Sequence, residues 1–159
     1  MDISDEEIIE FWKRLYQSKV EDIMVGAFAV MLHGGTRTTE DIDIWIKDSI
    51  ENRKKLKVVF EMYGYPSLIN FETMEFVPGC TTLCISSGIE LDITTKLSGF
   101  EQERFNECLA MSYRAVIDGI EVPFLHINHL IQEKAKVAHP KDLIDLEELE
   151  RIKQYQENK

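Results

Sequence analysis

The sequence predicts an α+β fold. Helical periodicity marks both ends of the chain, short apolar or alternating segments lie between them, and turn signals join several of these segments into hairpins. With 159 residues, 44% hydrophobic and 30% charged, the composition is that of a globular protein. The length suits a single domain over residues 1–159, in which we expect the two C-terminal helices to complete the core.

Charge and cysteine content narrow the possible partners. The formal net charge of −11 disfavours broad nucleic-acid binding, although a local basic patch can still hold a nucleotide or a tRNA end. The longest apolar run, residues 24–32, is too short to span a bilayer, and the acidic N-terminus excludes a secretory signal. We therefore expect a cytoplasmic protein with no membrane partner. The three cysteines form no Cys-x-x-Cys pair, so buried thiols are expected instead of a zinc site.

The N-terminal elements lead into a glycine turn. Residues 3–19 predict an amphipathic packing helix, with Ser4 as its N-cap and Glu7 three residues later. Residues 23–25 predict a short strand that ends at Gly26, directly before a short helix. A glycine at a strand-to-helix turn lets backbone amides approach a phosphate, although the same pattern also occurs as a simple tight turn.

The next predicted strand carries two aspartates. Asp41 and Asp43 lie two residues apart, so they share one face of the strand, whereas the intervening isoleucines share the other. Two carboxylates held this close repel each other and raise each other's pKa unless a cation lies between them. A hard divalent ion with oxygen ligands is the natural occupant.

The middle of the chain predicts a helix followed by three strands. The helix covers residues 49–63 with Ser49 as its cap, and its run of basic residues from Arg53 is interpreted as a solvated face. The strands are expected at residues 71–77, 81–85 and 89–94, of which the last two form a hairpin. Alternation in the third strand places Glu90 and Asp92 on one face, so either can add a third carboxylate beside Asp41, or both can face solvent.

The C-terminal third predicts two more helical segments on either side of a hairpin, and then a final helix. The helices are expected at residues 101–109, 128–138 with Asn128 as its cap, and 141–156. The hairpin covers residues 113–125 and turns at Asp118-Gly119, a pair that favours the primed turn types.

Several of these residues together resemble the signature of a known superfamily. Gly26-Ala27, then Arg37 and Thr39 in an Arg-x-Thr-x-Asp-x-Asp pattern, resemble the nucleotidyltransferases built on the DNA polymerase beta-like palm. The resemblance is strongest to the small branch that includes the abortive-infection toxins, and it covers about the first third of the chain. It implies a nucleotidyltransferase-like palm, with a mixed β-sheet and helices packed mainly on one face.

The resemblance also implies roles for individual residues. Two Mg²⁺ ions would be held by three catalytic carboxylates, with Asp92 preferred to Glu90 as the third. Nucleotide binding would use the amides of Gly26 and Ala27 and the side chains of Arg37, Thr39 and Lys134. A Lys-Asp-x-x-Asp-Leu segment beginning at Lys141 resembles one that recurs in the branch, and its Lys141/Asp142 pair would order a helix junction. The three catalytic carboxylates that would hold the two Mg²⁺ ions are Asp41, Asp43 and Asp92.

The function implied is transfer of a nucleoside monophosphate from a nucleoside triphosphate such as ATP to an acceptor hydroxyl, with release of pyrophosphate. A tRNA end, a protein and a small molecule are all compatible acceptors. One alternative is a catalytically silent palm that binds a nucleotide or a protein partner, as half of a toxin-antitoxin or defence pair. A structural domain that binds magnesium or calcium without a nucleotide is another.

Overall fold

The computed structural model describes residues 5–39, 41–65, 70–77, 81–86, 88–137 and 139–159. This part of the chain contains six α-helices and six strands. The helices are α1 (Glu6–Gln17), α2 (Gly26–Leu32), α3 (Ile50–Glu61), α4 (Phe105–Met111), α5 (Ile127–Val137) and α6 (Pro140–Glu157). The strands are β1 (Asp22–Val25), β2 (Asp41–Ile46), β3 (Thr82–Ser86), β4 (Ile89–Thr94), β5 (Tyr113–Ile117) and β6 (Ile120–Phe124).

The strands form one mixed sheet in the order β3-β4-β2-β1-β6-β5. β2 runs antiparallel to β1 and parallel to β4, and in the second pairing Asp43 lies opposite Asp92. β1 pairs in parallel with β6 on its other side. The N-terminal end of β2 therefore lies beside the C-terminal end of β1, where the chain turns at Gly26. The predicted α+β class with a mixed sheet is confirmed.

A single apolar cluster joins the sheet to the helices. Trp12 of α1 contacts Phe28 of α2 edge to face, and Trp45 of β2 contacts Phe105 of α4 in the same way. These four rings are essentially inaccessible to solvent. Edge-to-face aromatic pairs add about 0.5–1.5 kcal/mol each to the stabilisation from burial. No helix in the described ranges is long and apolar enough to cross a membrane.

Two predicted helix caps differ from the structure. Ser4 lies outside the described residues, and α1 is capped instead by Asp5, whose carboxylate accepts a hydrogen bond of 2.9 Å from the Glu7 amide. The short side chain of an aspartate caps a helix as well as serine does. Asn128 was predicted to cap α5, but the helix begins one residue earlier and the ring of His126 accepts a bond of 3.1 Å from the Asn128 amide. The predicted Ser49 cap of α3 is confirmed.

The strand predicted at residues 71–77 is wrong. This segment is a turn followed by irregular backbone, and its carbonyls at Phe71 and Met74 accept hydrogen bonds from the Arg53 guanidinium. Arg53 is only 5% exposed and also pairs with Asp48, so it does not belong to the predicted solvated face. A buried arginine needs several acceptors at once, and backbone carbonyls outside a ladder supply them.

The predicted hairpins are confirmed. β3 pairs with β4 and β5 pairs with β6, both antiparallel. The second hairpin turns at Asp118 and Gly119, whose φ angles of 50° and 81° are both positive. Two successive positive φ angles are what a type I′ turn requires, and its backbone twist matches that of the flanking strands.

Candidate active site

All the predicted site residues line one cavity of about 630 Å³. The cavity lies where β1 ends, beside β2 and β4, and α5 and the start of α6 form its opposite wall. The predicted residues on its wall are Gly26, Ala27, Arg37, Thr39, Asp41, Asp43, Asp92 and Lys134. The alternative third carboxylate, Glu90, is exposed on β4 and is not part of this wall. The structure therefore brings the predicted residues together, and their chemical roles remain predictions.

The carboxylates of Asp43 and Asp92 come together because their strands are parallel neighbours in register. The pKa of Asp43 is raised to about 7, first by burial and then by the negative charges of Asp92 and Asp41. Lys134 opposes this shift. The hydroxyl of Thr82 donates a hydrogen bond to Asp92 Oδ1 from the neighbouring strand β3, and so orients that carboxylate. Near neutral pH, Asp43 is thus poised between its charged and neutral forms.

These carboxylates are chemically suited to a hard divalent cation. Within the described residues, no three Asp, Glu, His or Cys side chains are already arranged as a coordination shell. The donor set still fits magnesium, because Asp41, Asp43 and Asp92 offer oxygen ligands from adjacent strands of one cavity wall. The negative charge of Asp92 raises the pKa of Asp43, and a cation between the two carboxylates would remove this repulsion.

Gly26 makes the close packing beside Asp43 possible. Its φ of +66° lies in the left-handed region, and a β-carbon here would lie 2.9 Å from Cγ of Asp43. Any other residue would therefore be strained and would also displace the carboxylate. The turn at Gly26 begins α2, so the amides of the first helical turn have no partners within the helix.

The loop between α2 and β2 is held at both ends. The ring of His33 contacts the Leu125 carbonyl through Nε2 at 2.7 Å, which ties the start of the loop to the end of β6. Near β2, the Thr39 hydroxyl accepts a hydrogen bond of 3.2 Å from the Asp41 amide. Arg37 lies between these points and pairs with Asp145 of α6. The loop thus presents Arg37 at the cavity with its guanidinium already anchored.

Lys134 belongs to a buried ion network. Its Nζ lies 3.0 Å from Asp142 Oδ1 and 3.2 Å from Asp145 Oδ2, and its side chain is only 7% exposed. Burial lowers the pKa of Lys134, but the bond to Asp142 and the nearby carboxylates outweigh burial, so the net shift is upward and the lysine stays charged. Asp142 also accepts a bond from the His139 amide at the start of α6. Asp142 therefore orders this junction, as predicted, and the lysine that it binds is Lys134 of α5.

Two residues of this region were missed by the sequence analysis. Glu133 lies on the cavity wall, and its Oε2 is buried without a hydrogen-bond partner among the described residues. Burial raises its pKa, while Lys134 lowers it. Asp145 is fully buried and joins the two predicted cations, Arg37 and Lys134. The available signal for Asp145 was its place in the Lys-Asp-x-x-Asp-Leu segment, whereas Glu133 had no signal beyond its position next to Lys134.

Comparison with solved structures identifies the fold. A provisionally assigned nucleotidyltransferase of Thermotoga maritima matches with a TM-score of 0.58 and 17% identity, over 96% of this chain and 91% of its own. The antibiotic-resistance factor ANT(2'')-Ia matches with a TM-score of 0.59 and 18% identity, over 99% and 94%. An antigenic nucleotidyltransferase-like protein of Paracoccidioides brasiliensis matches with a TM-score of 0.53 and 18% identity, over 92% and 76%.

These similarities define the fold. The protein has the fold of the nucleotidyltransferases, which confirms the predicted resemblance to that superfamily at the level of structure. No protein-family model and no curated protein sequence matches the chain significantly. The link to the abortive-infection branch therefore stays a prediction.

Proposed function

We propose that this protein is a metal-dependent nucleotidyltransferase. It would transfer a nucleoside monophosphate from a nucleoside triphosphate such as ATP to a hydroxyl group of an acceptor. The observation that carries the proposal is the convergence of Asp41, Asp43 and Asp92 with Arg37 and Lys134 on one cavity of a nucleotidyltransferase fold. Phosphoryl transfer needs carboxylates that can bind magnesium and, near them, side chains that can bind phosphate.

The carboxylates would hold two Mg²⁺ ions. When bound, magnesium neutralises phosphate charge and lowers the pKa of a coordinated hydroxyl. Asp41, Asp43 and Asp92 supply the oxygen ligands, and the proton associated with Asp43 must leave before a cation can bind. Cation binding is therefore expected to weaken as the pH falls below neutrality.

The other predicted residues of the cavity wall would bind the triphosphate. Arg37 offers a planar set of donors to phosphate oxygens, and Lys134 adds a second positive charge from the opposite side. The amides of Gly26 and Ala27 would donate to the β- and γ-phosphates, while Thr39 fixes the loop that carries Arg37. These contacts would favour departure of pyrophosphate by neutralising its charge.

The reaction is an in-line displacement at the α-phosphorus. The acceptor oxygen forms a bond to phosphorus while the bond from phosphorus to the oxygen bridging the α- and β-phosphates breaks, and pyrophosphate leaves with that electron pair. The proton of the acceptor hydroxyl passes to a carboxylate oxygen. Asp92 is the residue proposed for this step, because its Oδ1 is oriented by Thr82.

A tRNA end, a protein and a small molecule are the acceptor classes to be distinguished. ANT(2'')-Ia is an antibiotic-resistance factor, and its structural similarity favours testing small hydroxylated molecules first. The net charge of −11 opposes extensive contact with RNA, although a short 3′ end needs few contacts. A partner protein would suit the toxin-antitoxin or defence setting predicted from the sequence.

Thermal unfolding tests nucleotide and metal binding directly. Magnesium plus a nucleoside triphosphate at about 100 times its Kd should raise Tm by about 5–10 °C for a chain of this length. Asp43→Ala should abolish the rise. Glu90→Ala, which removes a carboxylate two residues from Asp92 on the same strand, should leave it intact.

Incubation with α-labelled triphosphates and a total cell extract then tests transfer. Labelled RNA, protein or small molecule would identify the acceptor, and the label should disappear with Asp43→Ala. A rise in Tm that depends on nucleotide but is never accompanied by transfer would instead identify a silent binding module. A rise with metal alone, indifferent to nucleotide, would contradict the proposal.

A further inference from the structure

A second cavity lies at the opposite end of β1. It has a volume of about 390 Å³ and lies between α1, the start of β1, the end of α4 and the β5-β6 hairpin. We call it the Asp22 cavity. It shares no wall residue with the candidate active site. Its wall consists of Trp12, Leu15, Tyr16, Lys19, Val20, Glu21, Asp22, Leu109, Arg114, Glu121, Val122 and Pro123.

Asp22 is an unusual group to find in this wall. It is only 6% exposed, and among the described residues its carboxylate forms no hydrogen bond or ion pair. Arg114 is close enough to lower the pKa of Asp22, but its guanidinium donates to the Leu109 carbonyl at 3.1 Å. Burying a carboxylate without a hydrogen-bond partner costs free energy, so a ligand that donates a hydrogen bond to Asp22 would stabilise the site.

The surrounding structure leaves two further polar groups unsatisfied. In the parallel ladder between β1 and β6, the Leu125 amide donates to the Met24 carbonyl, and the next bond would run from residue 123 to the Asp22 carbonyl. Residue 123 is a proline and has no N–H to donate. The indole N–H of Trp12, in the same cavity wall, is also buried without a partner among the described residues.

We propose that the Asp22 cavity binds a small organic cation, whose ammonium or guanidinium group pairs with the Asp22 carboxylate and whose apolar body packs against the half-buried Leu109 and Pro123. Four charged residues surround Asp22 in the wall. The positive charges of Lys19 and Arg114 balance the negative charges of Glu21 and Glu121, and Asp22 then supplies the unbalanced negative charge.

The chemistry of the wall selects against other ligands. Glu21 pairs with Lys47 and Glu121 is exposed, so Asp22 is the one buried carboxylate among the described residues of the wall. By itself it cannot complete the oxygen shell of magnesium or calcium, which takes six or more ligands. An anion would meet the carboxylate directly. Val20, Leu109 and Pro123 of the wall are half-buried and offer an apolar surface that a hydrated inorganic cation cannot use.

Burial raises the pKa of Asp22 to about 7, with Arg114 opposing the shift. The other titratable groups in the wall are Tyr16, Lys19, Glu21 and Glu121. Binding of a cation should therefore strengthen as the pH rises through 7, because the carboxylate that receives it becomes charged. Experiments on the site are best performed at pH 8.

The chain contains two tryptophans, which gives the experiment an internal control. The indole N–H of Trp12 reports on the cavity, whereas that of Trp45 donates to the Thr95 carbonyl at 2.9 Å in the core. Titration of ¹⁵N-labelled protein with benzylammonium should shift the Trp12 indole signal in a saturable way and leave the Trp45 signal in place. Benzyl alcohol, which has the same shape without the charge, should bind at least about tenfold more weakly.

Two variants separate the buried carboxylate from general electrostatic attraction. Asp22→Asn should weaken benzylammonium binding at least about tenfold, and it keeps the shape of the side chain while removing a buried charge. Glu121→Gln, which neutralises an exposed carboxylate of the same wall, should leave the affinity within about twofold. The proposal is overturned if the alcohol binds as well as the cation, if the Trp12 signal does not move, or if both variants lose affinity equally. It does not depend on nucleotidyl transfer, because the two cavities are separate.

Discussion

Replacing Asp22 by asparagine should change how the stability of the protein depends on pH. In the native state burial raises the pKa of Asp22 to about 7, from the ordinary value of 3.8. Between these two values the unfolded chain has released the proton while the native state retains it. Native Asp22 therefore destabilises the fold progressively as the pH rises through this window, and the full penalty is present above pH 7.

The magnitude follows from the size of the shift. A difference of about three pKa units corresponds to about 4 kcal/mol between the low-pH and high-pH limits, at about 1.4 kcal/mol per unit. Between pH 5 and pH 8 alone, the penalty of Asp22 grows by about 2–3 kcal/mol. Asparagine does not titrate, so the stability of Asp22→Asn minus that of the wild type should increase by this amount over the same range.

Urea unfolding of both proteins at pH 5, 6, 7 and 8 measures this difference. All other titrating groups, including Asp43, are common to both proteins, so their contributions largely cancel in the comparison. An m-value that is unchanged between the two proteins would show that the same surface is exposed on unfolding. If the difference in unfolding free energy is constant from pH 5 to pH 8, Asp22 is well solvated in its cavity and the burial argument is refuted.

Three further predictions concern single positions. Gly26→Ala should destabilise the protein more than Gly64→Ala, because both positions have a positive φ but only a β-carbon at position 26 would also meet the Asp43 carboxylate. Urea unfolding of the two variants measures the difference, and equal losses of unfolding free energy would contradict the packing argument. Lys134→Met should cost about 3–5 kcal/mol of unfolding free energy, since it leaves buried carboxylates short of a cation, and a loss below about 1 kcal/mol would show that water replaces it. Cys108 is fully buried, and burial raises the pKa of its thiol to about 11, so iodoacetamide at pH 8 should not alkylate it in the native protein. Peptide mass spectrometry before and after unfolding measures the alkylation of Cys108.

Local patterns were sufficient for much of the fold. The period of two in residues 41–46 places Asp41 and Asp43 on one face, and it needs no information from elsewhere in the chain. The Asp118-Gly119 turn is equally local, because only a few residue pairs tolerate two positive φ angles. These predictions succeeded because the backbone geometry that each requires is determined by adjacent residues.

The errors arose where distant residues decide local structure. The segment from Phe71 to Val77 has an acceptable strand composition, but its carbonyls at positions 71 and 74 accept hydrogen bonds from Arg53. The four basic residues from Arg53 onward look alike in sequence, and only the packing of α3 shows which one is buried. Similarly, alternation alone could not choose between Glu90 and Asp92. The pairing of β4 with β2 places Glu90 opposite Asp41 and Asp92 opposite Asp43, and only the cavity wall, which includes Asp92 but not Glu90, separates them.

The buried network around Asp145 explains how a small chain can hold a polar site in place. Asp145 is completely buried and contacts Arg37 from the loop before β2 and Lys134 from α5, so three separate segments meet at one carboxylate. An ion network of this kind adds little net stability compared with apolar packing, because desolvation of the charges offsets their attraction. The network instead favours one arrangement of the three segments, because moving any one of them would leave a buried charge without its partner. The network therefore fixes two cations relative to the carboxylates of β2 and β4, which is the geometric requirement of the proposed chemistry.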